Sequence, residues 1–215
     1  MSQPEALQKL LTWLSPAFPV GAFAWSAGLE SAIADKTLSD SAALQNWLEG
    51  VLAHGGLKSD AIFVAQAWTQ ETPLQDLADL AIALAPARER FAETTITGDN
   101  FAIAAKAWPV ELDLPQPCPY PIAVGATARA HEIGLEDTVL AYLTATVHSQ
   151  ISVAVRLVPL GQTDGLRVMA ALEPRVAALA KLSATATLAD LGSIAYATDI
   201  AQMRHETLEP RIFRS

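Results

Sequence analysis

Apolar residues recur along this chain at three- and four-residue intervals, and no segment sustains the every-second-residue alternation of a half-buried strand. Ser2 and Glu5 stand at the spacing of a helix-start box. Leu7, Leu10, Leu11 and Leu14 follow on a helical period, which predicts a first helix ending at Leu14, ahead of Pro16 and Pro19. A second helix is predicted over 21–35, and a third begins after Ser39 as its cap and stops at Gly55 and Gly56. Segments 57–70, 73–85 and 87–108 each carry a helical pattern, the last with a break at Thr97, Gly98 and Asp99.

Five prolines between 109 and 121 remove backbone donors and hold the chain extended, so helix cannot persist there. The stretch is short enough to join two halves of one bundle. Helices are expected again over 122–131 and 135–158. After a turn marked by Pro159, Gly161 and Gly165, Thr163 or Asp164 can cap a helix reaching Ala186, bent at Pro174, and a last helix is expected over 188–208. Alanine, the strongest helix former, supplies 41 of the 215 residues. The expected fold is all-α: a single-domain bundle of about eight to ten helices over 1–215, with a connector at 109–121 and a docking segment at 199–215.

Charge narrows the partners. Of the net charge of −9, residues 1–150 carry 7 basic and 17 acidic side chains, and residues 151–215 carry 7 and 6. An acidic surface repels phosphate backbones, so nucleic acid is not an expected partner. Cys118 is the lone cysteine, which excludes an internal disulfide and any CxxC site and suits a reducing cytoplasm. The N-terminus lacks the basic and apolar regions of a signal peptide. The longest uncharged run, 138–155, approaches membrane-spanning length but is interrupted by Thr144, Thr146, His148, Ser149, Gln150 and Ser152, and is better read as a helix buried in a bundle or between subunits than as a membrane span.

Catalytic signatures are missing. The chain has no phosphate loop, no GxGxxG and no GxSxG, and His54, His131, His148 and His205 share no ligand spacing. No cofactor, metal site or enzymatic activity is expected. Two dense stretches stand out instead. Phe18, Pro19, Gly21, Phe23, Ser26, Gly28 and Glu30 lie in FPVGAFAWSAGLE (18–30), where aromatics at helical spacing suit packing and Gly28 admits a second helix. Asp199, Met203, Arg204, His205 and Glu206 lie on an amphipathic C-terminal helix, followed by Pro210 and a tail with Arg211 and Phe213. Phe213 can fill a pocket and Arg211 can grip a carboxylate, either on the chain's own body or on a partner.

These stretches, with YPIAVG (120–125) and RLVPLGQTDG (156–165), make the sequence resemble the UreF family of urease accessory proteins over nearly its whole length. The resemblance implies a cytoplasmic, dimeric all-α protein in the complex that loads nickel into apo-urease. Its implied partners are UreD, called UreH in some organisms, and the GTPase UreG, which carries the GTP site this chain lacks. It also implies that the C-terminal segment orders on partner binding and that Arg211 helps hold the surface recruiting UreG. Many relatives have tyrosine then serine where this chain has Phe23 and Ala24, so those hydroxyls are missing here. The leading expectation is an adaptor. A direct regulator of UreG, using Arg204, Arg211 or Arg214 as an arginine finger, and a nickel-holding chaperone are the alternatives.

Overall fold

The computed structural model describes residues 2–215, and among them lie ten α-helices, two short 3-10 turns and no strand. The helices are α1 (Gln3–Trp13), α2 (Leu29–Ala34), α3 (Ser41–His54), α4 (Gly56–Thr69), α5 (Leu74–Ala83), α6 (Arg88–Ala105), α7 (Tyr120–Ala130), α8 (Leu135–Leu157), α9 (Gln162–Ser183) and α10 (Tyr196–His205). The all-α bundle expected from hydrophobic periodicity is what the chain forms. Helices α4, α7, α8 and α9 make its centre, α3 lies on α4 and α9, and α10 packs across α2 and α6.

An aromatic chain ties the N-terminal helix to this centre. Trp13 meets Phe101 of α6 edge-on at 6.2 Å, Phe101 meets Tyr120 at 5.7 Å, and Tyr120 meets Tyr142 of α8 at 5.4 Å. Phe18 joins at 5.5 Å from Phe101. The proline-rich connector is strapped to α6 where Asp99 accepts from the Cys118 N–H at 2.9 Å. Helix α8 is long and apolar enough to cross a membrane by length and composition, and half of its most apolar window is buried inside the bundle.

Four local expectations need correction. The second helix does not span 21–35. Its first part is a 3-10 turn (Ala22–Ala24), Trp25 is extended, and Ala27 and Gly28 have φ of +52° and +82°, which breaks the helical path before α2. Asp40, not Ser39, caps α3 by accepting from the Ala43 N–H at 2.8 Å. Helix α6 runs unbroken through Gly98, whose bare backbone lies against the Cys118–Tyr120 main chain. The segment 188–208 is a 3-10 turn (Leu188–Asp190), an irregular stretch through Gly192 at φ +138°, and only then α10.

Gly125 lets α4 and α7 pack closely, because a Cβ there would collide with the Val64 carbonyl and lie 3.1 Å from the Ala67 methyl. Gly125→Ala is therefore expected to cost about 1–3 kcal/mol through overpacking. Gly50→Ala on α3, where an added Cβ meets nothing within 4 Å, should instead gain about 0.5–1 kcal/mol of helix propensity. Urea midpoints of the two variants moving in opposite directions would check this.

Candidate functional site

The C-terminal tail folds back onto the chain's own N-terminal motif, and buried charge holds the two together. His205, fully buried at the end of α10, places Nε2 2.9 Å from Glu30 Oε2 of α2 and Nδ1 2.8 Å from Glu89 Oε2 of α6. Both neighbours only accept, so both ring nitrogens are used as donors when the ring carries two protons. Glu89 also accepts from Arg211 Nη1 at 2.7 Å. Glu30 accepts from the backbone N–H groups of Ile212 at 2.7 Å and Phe213 at 2.9 Å. Two carboxylates thus share one guanidinium, one imidazole and two backbone N–H groups, the hydrogen bonds that buried carboxylates need.

Local structure explains why these groups meet. Glu30 and Glu89 each lie in the first turn of a helix, where the N-terminal dipole favours a carboxylate. Gly28 lets α10 come down on α2, since a Cβ would lie 2.9 Å from the Gln202 nitrogen. Ser26 closes the clasp. Its N–H donates to the Ser215 carbonyl at 2.6 Å, its hydroxyl makes a short bond to the same oxygen, and the Arg214 N–H donates to the Ala24 carbonyl at 2.7 Å. Phe213 is buried beneath. Burial works against charge on Glu30, but the His205 ring and the two tail N–H groups outweigh it and hold its carboxyl below the usual range.

The sequence-predicted residues therefore divide. Ser26, Glu30, His205, Arg211 and Phe213 converge in the clasp, and Gly28 lies under it. Glu206 sits beside it, accepting from the Arg88 N–H at 3.0 Å. Asp199 is half-buried near the Ser193 hydroxyl, and burial raises its carboxyl. Met203 is exposed, and Arg204 pairs with Asp35 at 3.0 Å on the surface. Phe18 belongs to the aromatic core, Pro19 is exposed, and Gly21 turns the chain at φ +80°. Phe23 is half-exposed, with the Arg156 guanidinium 5.1 Å from its ring.

Sequence reading missed Glu89 and a second buried network beside it. Arg90 bonds both oxygens of Asp60 at 2.7 and 2.6 Å and Glu93 at 3.1 Å, and the Tyr142 hydroxyl donates to Asp60 at 3.0 Å. Burial opposes charge on Arg90, but Asp60 and Glu93 outweigh it and keep the guanidinium firmly protonated. Burial raises Glu93 and Tyr142. These groups line a cavity of about 170 Å³, into whose wall Gln202 sets a buried Oε1 with no protein partner. The available signal was α6 itself, whose polar residues fall on every side of the helix.

Chemically, the clasp is saturated. Each His205 nitrogen already faces a carboxylate oxygen, and the two carboxylates lie on opposite edges of the ring, so they do not converge on a point. Among the described residues, no group of three or more His, Cys, Asp or Glu is placed to hold a metal ion. Burial pushes the Cys118 thiol up to about 12, which keeps it protonated and a poor nucleophile.

A family model described as UreF matches residues 38–173. That window contains Glu89 and the Asp60–Arg90–Tyr142 network but neither Glu30 nor the tail. The chain is 46% identical over 216 residues to the urease accessory protein UreF of Agrobacterium fabrum, covering 98% of this chain and 96% of that protein. It is 46% identical to the protein of the same name from Rhizobium etli, with 98% and 97% covered. Identity is 47% over 225 residues to that from Bradyrhizobium diazoefficiens, with 99% and 93% covered.

The lowered Glu30 carboxyl has a signed consequence. Its contribution to stability is complete above the ordinary carboxylate value of 4.5 and is lost as pH falls through its lower folded value. The stability difference between the native chain and Glu30→Gln should therefore shrink on acidification below about pH 4. Urea denaturation of both proteins from pH 7 to pH 3 would measure it, and a difference that stays constant would contradict it.

Proposed function

Because this chain belongs to the UreF family of urease accessory proteins, we propose that it is a non-enzymatic adaptor bridging UreD (UreH) and the GTPase UreG in the cytoplasmic complex that inserts nickel into apo-urease. The observation that carries the reading is the clasp: its buried carboxylates and imidazole bond to one another and to the tail, and its effect is to hold a terminal segment in one shape. That segment presents surface. Tyr196, Ile200 and Met203 follow at i, i+4 and i+7 along the outer face of α10, and Ile212 projects from the tail at 79% exposure. Such a rigid apolar stripe suits protein docking better than catalysis.

Nickel and GTP belong to the wider complex in this reading, as cargo and as a partner's ligand. A homodimer fits the bundle as well. Helix α8 exposes Leu140, α1 exposes Leu7 and Leu11, and the two helices touch. Joining two copies there would cover the apolar face that the monomer leaves open. The regulator reading receives less support, since Arg211 and Arg204 each pair with a carboxylate and so suit positioning better than a finger, which leaves Arg214 as its one candidate without a carboxylate partner among the described residues.

Arg211→Ala should leave the helical bundle folded but loosen the tail from Glu89, and weaken UreG co-purification and urease activation by about tenfold or more, the effect of losing ~1.4 kcal/mol at a central contact. Co-expression with UreD and UreG, followed by size-exclusion chromatography, reads the binding. Unchanged UreG recovery would remove Arg211 from the recruiting surface. Single-turnover GTP hydrolysis by UreG separates the regulator, which requires a rate loss without a binding loss.

A further inference from the structure

On the outer side of the clasp three arginines gather. A shallow cup of about 330 Å³ is lined by Trp25, Arg88, Glu89, Arg211, Phe213 and Arg214. Trp25 and Phe213, each 6% exposed, form a rigid apolar floor. Three guanidiniums stand around it. Arg211 gives one Nη to Glu89. Arg88, 78% exposed in its side chain, reaches Glu206 only through Nε at 3.7 Å. Arg214 has no carboxylate within ion-pair distance among the described residues, and its guanidinium carbon lies 5.9 Å from the centre of the Trp25 ring. Three cations thus meet two carboxylates in a chain whose net charge is −9.

We propose that this cup is a docking site for an acidic polypeptide segment of a partner protein, whose carboxylates take the free guanidinium edges of Arg88, Arg211 and Arg214. The planar fork of arginine matches a carboxylate in two parallel hydrogen bonds, and an arginine over an indole face keeps that edge available. Phosphate is the competing anion, since arginine forks grip it too, but sites that enclose a phosphate commonly add convergent backbone N–H groups. Here those groups are occupied: the N–H of Arg214 donates to Ala24, those of Ile212 and Phe213 to Glu30, and that of Arg88 to Glu206. What remains is a rim of side-chain cations around an apolar floor, which suits a carboxylate-bearing chain. The inference rests on the adaptor reading only in taking a protein as the occupant.

Hexaglutamate, titrated calorimetrically into the full chain at low ionic strength, tests the cup without any urease protein. Saturable binding is expected, weakened at least about tenfold in Arg88→Ala/Arg214→Ala, largely kept in Arg88→Lys/Arg214→Lys, and falling with added salt. Urea midpoints of both variants monitor the fold. Absence of saturable binding, binding unaffected by the alanine pair, or equal binding of inorganic phosphate would overturn the proposal. UreG co-purification with the native chain tests the adaptor reading separately, so a failed cup and a failed adaptor are told apart.

Discussion

The architecture of this chain's functional end depends on one buried ring, His205, held between two carboxylates. Glu30 comes from the start of α2, Glu89 from the start of α6 and His205 from the end of α10, so a single imidazole joins three elements far apart in sequence. Arg211 and the tail N–H groups supply the remaining donors. Removing any one partner would leave a buried charge uncompensated, which is why such networks specify a single arrangement even where they add little net stability.

The rest of the bundle serves this placement. The aromatic chain from Trp13 to Tyr142 fixes α1, α6, α7 and α8 relative to one another. On α6, neighbouring residues then face two ways: Glu89 toward the tail, and Arg90 toward Asp60 and Tyr142 in the interior. One helix start therefore couples the core to the tail. With its polar groups already paired, the clasp works as a scaffold, and what it offers outward is the α10 stripe and the arginine rim.

Much of the fold was legible because helix formation is a local matter. Leucine periodicity, alanine content and glycine or proline stops place most helices to within a few residues. The errors occurred where backbone geometry is set by distant contacts. The stretch 21–35 has helical composition, yet Gly28 is drawn to positive φ, close under α10 from the far end of the chain. Gly98 looks like a break, yet it makes room for a neighbouring strap inside an intact helix. The site was half legible. Both terminal motifs were visible as dense sequence, and packing of the tail on the chain's own body was one of two open readings, but nothing in the spacing joined it to the N-terminal motif. Glu89, Asp60 and Arg90 carried no motif, because a buried ion pair between separate helices leaves no spacing to read.

Amide hydrogen exchange at Ile212 and Phe213 tests the clasp most directly. In the native chain both N–H groups should exchange slowly, and Glu30→Gln or Glu89→Gln should speed them while amides of α4 and α7 keep their protection. Rapid exchange at Ile212 and Phe213 in the native chain, as in a frayed terminus, would contradict the account.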